Sequence, residues 1–234
     1  PISPLADEAS VLAWRYNRPL ILSDLGGGWP ALGRVFGRLR LRMFHGLAAI
    51  SATSAKDLGW DMQRPVRLLF GGAEHLRGME SRDRKPVYDF AFVGRILPHK
   101  GPHLLLQALP PEASCVIAGA PLDEVYLDRL RALAPEGRVS FVLSPSDREI
   151  VTTYERARWS VFPSMGAVGG KQLRRPELLG LSPIESMWLG VPPLLSDIPA
   201  YRELARLLGA PTFEQGNLQS LAIELERLFR SPDP

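Results

Sequence analysis

The sequence predicts an α/β protein built on a doubly wound parallel sheet. Short apolar segments bounded by glycine, proline or serine alternate with longer segments of helical pattern along the chain. Such an alternation is typical of a parallel sheet covered by helices on both faces. The length of 234 residues, with 45% hydrophobic and 23% charged residues, fits one large globular domain or one domain and part of another.

The alternation is clearest from residue 89 onward. Each strand predicted there is short and apolar and ends at a turn-forming residue. The predicted strands are residues 89–93, 114–118, 139–143, 159–162 and 193–196. The predicted helices are residues 99–109, 123–133, 147–157, 183–189, 199–208 and 218–229. This region is long enough for a complete doubly wound domain.

Fewer elements are predicted in the first 88 residues. Three segments, residues 20–23, 47–51 and 66–70, have the pattern of strands, and residues 53–58 that of a short helix. A complete Rossmann-like domain needs more chain than this. Residues 73–88 are rich in arginine, aspartate and lysine, so we interpret them as a linker between two domains.

Charge, cysteine content and hydropathy narrow the class of protein. A formal charge of +3 and a pI near 9.3 suit an anionic substrate or a membrane surface but are too weak to indicate nucleic acid. The single cysteine, Cys115, rules out an intrachain disulfide, and its apolar neighbours predict a buried strand position. No apolar run approaches the roughly 20 residues that span a bilayer, and no signal peptide precedes the first strand. We therefore expect a cytoplasmic protein.

Two cationic side chains follow the first strand of the C-terminal region. Arg95 and Lys100 are flanked by Gly94 and Gly101, which permit backbone to approach a ligand closely. Parallel sheets bind ligands at the carboxyl ends of their strands, and both cationic groups suit phosphate oxygens. The segment predicts a phosphate site, with a pair of solvated loop charges as the alternative.

Two carboxylates stand in the segment 176–204. Glu177 and Glu185 are separated by seven residues across a loop that leads into a helix. An acid pair and a cation pair at strand-to-helix junctions suit an anionic, hydroxyl-rich ligand such as a nucleotide sugar. Ser182, Pro183 and Glu185 also match a helix capping box, so Glu185 has a purely structural alternative. A solvated loop residue is the alternative for Glu177.

Together the two segments resemble the C-terminal half of retaining glycosyltransferases of family 4, which have the GT-B fold of two Rossmann-like domains. The matching residues are Gly94-Arg95, Lys100-Gly101, the pair Glu177 and Glu185, and Gly190-Val191-Pro192 followed by Ser196. The resemblance covers residues 89 to about 225 and continues more weakly through residues 19–72. It implies a complete C-terminal nucleotide-sugar-binding domain at 89–234. It also implies a linker at 73–88 and, at 1–72, the rear part of an N-terminal acceptor-side domain. Since the chain begins at Pro1 rather than Met, we expect the front of that domain to be absent.

The resemblance also implies roles for individual residues. The catalytic set is Glu177, Arg95, Lys100 and Asp24, and the donor-binding set is Gly94, Arg95, Lys100, Gly180, Leu181, Ser182 and Glu185. Arg95 and Lys100 would stabilise the leaving diphosphate, and Glu185 would accept hydrogen bonds from the ribose. Glu177 would contact the donor sugar and stabilise positive charge developing on its ring.

Three further segments have a functional and a plain structural interpretation. Asp24, followed by three glycines, would face the acceptor or would cap a turn. The glycine-rich, basic residues 166–175 would form a mobile lid or a simple surface loop. Arg34, Arg38 and Arg42 recur every fourth residue; a helix there would rest on an anionic membrane or be an ordinary surface helix.

The sequence therefore predicts a retaining glycosyltransferase that moves a sugar from a nucleoside-diphosphate sugar to an acceptor hydroxyl. No metal or other cofactor is expected, the acceptor would be a glycan or a lipid-linked molecule, and peripheral contact with the inner membrane face is compatible with the basic segment. The alternative is a non-catalytic nucleotide-sugar-binding module or an inactive fragment of such an enzyme. An epimerase fits the glutamate loop less well. A dinucleotide oxidoreductase is disfavoured, because no G-x-G-x-x-G motif follows the first strand of the C-terminal region. The sugar, the base and the acceptor stay open.

Overall fold

A computed structural model describes residues 4–24, 44–56, 65–79, 84–173 and 177–232. The chain divides into two compact units, Pro1–Gly71 and Gly72–Pro234. No helix in the described ranges is both long and apolar enough to cross a bilayer.

The first unit contains a small parallel sheet. Helix α1 (Pro4–Arg15) precedes strands β1 (Ile21–Asp24), β2 (Gly46–Ala49) and β3 (Arg67–Leu68), with β2 in the centre of the sheet. Phe44 and Leu47 are buried against apolar side chains at both edges of this sheet. The three strands lie where the sequence predicts them, whereas α1 was not predicted, and residues 52–56 are helical.

The second unit is built on a six-stranded, wholly parallel sheet. Its strands are β4 (Tyr88–Val93), β5 (Cys115–Gly119), β6 (Val139–Leu143), β7 (Ala157–Phe162), β10 (Pro193–Ser196) and β11 (Thr212–Phe213). Their spatial order is β6-β5-β4-β7-β10-β11. Counted along the chain this is the 3-2-1-4-5-6 order of doubly wound sheets, in which the order reverses between the first and fourth strands. Ligands of such sheets bind at the carboxyl ends of those two strands, here β4 and β7.

Helices cover both faces of this sheet. They are α2 (Pro102–Ala108), α3 (Glu124–Leu133), α4 (Asp147–Glu155), α5 (Leu181–Trp188), α6 (Pro199–Leu208) and α7 (Leu218–Phe229). Buried leucines of α2, α3 and α7 pack on one face with Phe90 and Ile117. On the other face, Tyr154 of α4 and Tyr201 of α6 pack with Val93. The core therefore fixes the loops at the carboxyl edge from both sides.

Local differences from the predicted elements have identifiable causes. The helix predicted at 99–109 is a 3₁₀ turn (Pro98–Lys100) followed by α2, because Gly101 between them has a φ of 72°. Residues 167–172 form a hairpin, β8 (Ala167–Val168) and β9 (Lys171–Gln172), joined by a two-glycine turn at positive φ. Neither this hairpin nor β11 was predicted, since two-residue strands leave no periodic pattern. Cys115 is buried in β5, as predicted.

Candidate functional site

Two loops meet at the carboxyl ends of β4 and β7. The first runs from Gly94 through the 3₁₀ turn that contains Lys100, and the second begins at Pro163. At Gly101 the first loop passes so close to the second that a Cβ atom there would collide with the carbonyl oxygen of Pro163. Only glycine permits this approach, which brings Lys100 beside the chain that follows β7.

The carboxylate of Glu177 lies at this junction. Its Oε1 forms an ion pair with Lys100 Nζ and accepts a hydrogen bond of 3.0 Å from Ser164 Oγ. The side chains of Glu177 and Lys100 are 9% and 16% exposed, so the pair is largely shielded from water. Ser196 at the end of β10 donates to the Ser164 carbonyl at 2.6 Å and fixes this loop to the next strand. We call Lys100, Ser164, Glu177 and Tyr201 the Glu177 cluster.

Two buried tyrosines support the loop that leads into α5. The Tyr201 hydroxyl lies 3.4 Å from Ser164 Oγ, and its pKa is raised well above the usual range by burial and by the nearby Glu177 carboxylate. Gly180, at a φ of 86°, rests on the Tyr201 ring, where a Cβ atom would lie 2.5 Å from a ring carbon. Tyr154 donates from its hydroxyl to the Ser182 carbonyl at 2.8 Å. Both rings therefore position the start of α5.

Glu185 occupies a different environment. Its carboxylate lies 3.5 Å from Nε2 of His75, and the Glu185 side chain is 12% exposed. Burial raises the pKa of Glu185; His75 opposes this shift and Asp147 adds to it. The capping-box alternative for Glu185 is wrong: α5 begins at Leu181 after Gly180, and no side chain caps it. The positive φ of Gly180 starts the helix earlier than the sequence pattern implied, which leaves Glu185 in the second turn, facing His75.

The remaining predicted donor residues line the same edge of the sheet. Arg95 follows β4, is exposed, and has no ion-pair partner among the described residues. Leu181 and Ser182 form the first turn of α5, whose backbone N–H groups have no acceptor within the helix. Such a helix start favours an anion. Gly94 and Gly119 pass in contact, since a Cβ atom at Gly119 would collide with the Gly94 carbonyl oxygen.

His99 lies beside the two predicted phosphate ligands. Its carbonyl accepts a hydrogen bond of 2.8 Å from the Met165 backbone, which ties the Lys100 turn to the chain after β7. Burial lowers the pKa of His99, and so do Lys100 and Arg95, while Glu177 raises it. This imidazole is therefore more easily kept neutral than an ordinary histidine, and an approaching phosphate would favour its protonation.

Several predictions fall in the first unit or in segments outside the described residues. Asp24 is the last residue of β1, and its side chain lies outside the described part, as do the three glycines that follow it. Arg34, Arg38 and Arg42 lie outside the described residues as well. In the predicted lid, residues 167–172 form the hairpin, and residues 174–176 are not among those described.

Sequence reasoning missed four side chains that the structure brings to this edge. Ser164, Tyr201, Tyr154 and His75 each contact Glu177, Glu185 or the loop between them. Ser164 lies two residues after a predicted strand, so its position at the carboxyl edge was available as a signal. The tyrosines lie in helices, and nothing in the sequence shows which turn of a helix faces this loop.

The fold agrees with the comparisons to known proteins. Residues 80–233 match the family described as Glycosyl transferases group 1, and since the match spans more than half of the chain, the chain belongs to this family. A curated relative, GDP-mannose:cellobiosyl-diphosphopolyprenol alpha-mannosyltransferase of Xanthomonas campestris, is 30% identical over 211 residues. This alignment includes 81% of the chain and 52% of the relative, so the chain spans about half the length of the curated relative it matches.

Solved structures share the fold at low sequence identity. Sucrose-phosphate synthase from Thermosynechococcus elongatus is 14% identical with a TM-score of 0.67, over 96% of this chain and 63% of that one. Trehalose 6-phosphate synthase from Burkholderia multivorans is 12% identical with a TM-score of 0.67, over 97% and 61%. These likenesses confirm the predicted α/β fold of the GT-B type.

Proposed function

We propose that this chain transfers a sugar from a nucleoside-diphosphate sugar to an acceptor hydroxyl, with retention of anomeric configuration. The observation that supports the proposal most strongly is the joining of Lys100 to Glu177 at the switch point of the sheet. A cation and a carboxylate held together at this edge match the two ends of a donor, its diphosphate and its sugar. Membership of the Glycosyl transferases group 1 family supports the same class of reaction.

In this proposal the diphosphate lies against Lys100, Arg95 and the first turn of α5. As the bond between the anomeric carbon and the diphosphate oxygen breaks, negative charge grows on that oxygen. Fixed positive charge and free backbone N–H groups aimed at it stabilise the transition state, at roughly 3 kcal/mol for one well-placed donor. The acceptor oxygen forms the new bond to the anomeric carbon, and its proton leaves with the diphosphate. The proposed reaction is metal-independent.

In this proposal the two glutamates bind hydroxyl groups of the donor. Glu177, held by Lys100 and Ser164, accepts hydrogen bonds from the sugar hydroxyls and stabilises the positive charge that develops on the sugar ring. Glu185 accepts from the ribose; His75 keeps a positive or donating group beside it. GDP-mannose is the first donor to test, because the name of the 30% identical relative contains it. Asp24 at the end of β1 is proposed to act on the acceptor side.

The experiment that tests the proposal is calorimetric titration of the 234-residue chain with GDP, UDP and ADP, first without metal. One nucleotide is expected to bind best, and Glu185→Ala is expected to weaken it about tenfold, as the loss of a hydrogen bond to a charged group would. The matched control is Glu124→Ala, which removes an exposed glutamate from α3 and leaves affinity unchanged.

Transfer is then measured with the matching nucleotide sugar and polyprenyl or glycan acceptors. An α-configured donor should give an α-linked product by NMR, since the proposed reaction retains configuration. No binding of any nucleotide, or equal affinity for the chain and its Glu185→Ala variant, would reject the proposed donor site. Tight binding without any transfer would favour a non-catalytic nucleotide-sugar-binding module.

A further inference from the structure

The first turn of α4 lies at the carboxyl edge of the sheet, beside α5. Residues 147, 151 and 154 are one and two turns apart and share one face of α4. Tyr154 of this face donates from its hydroxyl to the Ser182 carbonyl in the first turn of α5. Val151 packs with Leu76, the last residue of a second 3₁₀ turn. The face that begins at Asp147 is therefore directed towards α5 and that 3₁₀ turn.

Asp147 presents a carboxylate near Glu185. It raises the pKa of Glu185, so the two negative groups lie within electrostatic reach of each other. Asp147 is exposed and has no ion-pair partner in the part of the chain that the structure describes. Helix α4 does not need Asp147 as a cap, because Ser146 and Glu149 form a complete capping box. The carboxylate is thus left for another partner, with a favourable interaction with the helix dipole as its structural alternative.

The loop between β6 and α4 is joined to the edge that holds the proposed donor site. Ser144 in this loop has a φ of 51°, a left-handed conformation that residues other than glycine rarely adopt. Its N–H donates to the Gly119 carbonyl at 3.0 Å. Gly119 in turn passes in contact with Gly94, at the start of the proposed diphosphate site. Backbone strain of this kind is typical of functional sites, and here it is in the loop that carries Asp147.

The proposed position of the donor determines where its base lies. The ribose of a nucleoside diphosphate stands between the diphosphate and the base. With the diphosphate at Lys100 and the ribose at Glu185, the base lies further from the Glu177 cluster than the ribose does. That cluster is at the ends of β4, β7 and β10, whereas α4 begins after β6, two strands to the other side of β4. Two strand spacings are roughly 10 Å, a distance that one nucleoside spans.

We propose that Asp147 selects a guanine nucleotide as the donor, by accepting hydrogen bonds from N1–H and from the exocyclic amine of the base. An ionised carboxylate only accepts hydrogen bonds, and its two oxygens suit two donors side by side. Guanine presents such a pair on its Watson–Crick edge, whereas adenine, cytosine and uracil each place an acceptor there. This inference rests on the proposed function, because it concerns the base of the same donor.

The test is calorimetric titration of the 234-residue chain with the diphosphates of guanosine, inosine and xanthosine. GDP is expected to bind about tenfold more tightly than inosine diphosphate, which lacks only the exocyclic amine. In Asp147→Asn, xanthosine diphosphate should bind more tightly than GDP. The asparagine amide donates to the C2 carbonyl of xanthine, while its oxygen still accepts from N1–H. The matched control is Asp128→Asn, the same change at an exposed position of α3, which should leave the preference for GDP unchanged.

The outcomes separate this inference from the proposed function. Lys100→Ala should weaken all three nucleotides by the same factor, because it removes a contact to phosphate and none to the base. Equal affinity for GDP and inosine diphosphate would overturn the inference and leave the donor site in place. The same conclusion would follow if Asp147→Asn changed all three affinities by one factor, as a purely structural role at the helix start would. Selection of GDP through Asp147 without any sugar transfer would support the inference and reject the transferase. No binding of any nucleotide would reject both.

Discussion

Glu177 and Glu185 lie on the same loop and helix start, yet their surroundings differ. Glu177 has a cation, Lys100, and a hydroxyl, Ser164, bonded to one carboxylate oxygen. Among the residues that the structure describes, Glu185 has only His75 as an ion-pair partner, at 3.5 Å, and burial raises the pKa of Glu185. The charge of Glu177 is thus offset by partners within the fold, whereas the charge of Glu185 lacks comparable partners until a ligand binds.

This contrast indicates which of the two carboxylates is also held by contacts within the fold and which depends on a ligand for its hydrogen bonds. A buried charge with a complete set of partners holds the loops together, because removing one partner leaves the other desolvated. A buried carboxylate without such partners lowers the stability of the fold. Such groups occur at functional sites, where a ligand supplies the missing hydrogen bonds. We therefore expect the two glutamates to respond in opposite directions when they are neutralised.

The largest effect on stability is expected from removing Lys100, the cation that offsets the charge of Glu177. Lys100→Met should lower the free energy of unfolding by about 3 kcal/mol, since Glu177 would keep a buried charge with only the hydroxyl groups of Ser164 and Tyr201 beside it. Adding Glu177→Gln should restore most of that loss, because a neutral amide needs no cation. Nucleotide affinity should stay low in the double variant, which separates the ligand role of Lys100 from its structural role. Urea denaturation measures the stabilities.

The Lys100→Met and Glu177→Gln variants and their combination form a double-mutant cycle. Its control is a second cycle on an exposed ion pair. Arg131 and Asp128 of α3 are 3.0 Å apart, with side chains 51% and 72% exposed. The cycle of Arg131→Met and Asp128→Asn should give a coupling energy of about 0.5 kcal/mol. A coupling energy for Lys100 and Glu177 no larger than this would show that the Glu177 cluster does not stabilise the fold.

Glu185→Gln is expected to raise stability, by less than Lys100→Met lowers it. The pKa of Glu185 in the folded protein lies above its usual value of 4.5, so its stability contribution is present below that pH and is lost as pH rises through the folded pKa. Replacing it with glutamine removes this loss, and the variant should gain in Tm relative to the unchanged chain between pH 4 and pH 7.5. Nucleotide affinity should fall at the same time.

Glu124→Gln, an exposed change on α3, should give no such pH-dependent gain. A Glu185→Gln variant that loses Tm relative to the unchanged chain as pH rises would mean that Glu185 is compensated like Glu177. The proposed difference between Glu177 and Glu185 would then not exist.

The sequence predicts the architecture of this molecule better than the partners in its site. Strands β6 and β10 and helices α6 and α7 have the predicted bounds, because apolar runs and turn residues mark them locally. The positions of Lys100 and Glu177 at one edge follow from the rule for parallel sheets, but their ion pair depends on the close approach at Gly101. His75 lies 110 positions before Glu185 in the sequence, and no local pattern links the two.

The smallest effect is expected from His75→Gln, which removes the ion-pair partner that lies 3.5 Å from Glu185. His75 lowers the pKa of Glu185 and is 47% exposed, so solvent screens much of its charge. Removing it should raise the titration midpoint of the Glu185 carboxyl, as followed by ¹³C NMR. The unchanged chain, titrated in parallel, is the reference. An unchanged midpoint for Glu185 would show that the 3.5 Å contact has no electrostatic role, and that burial and Asp147 alone set its pKa.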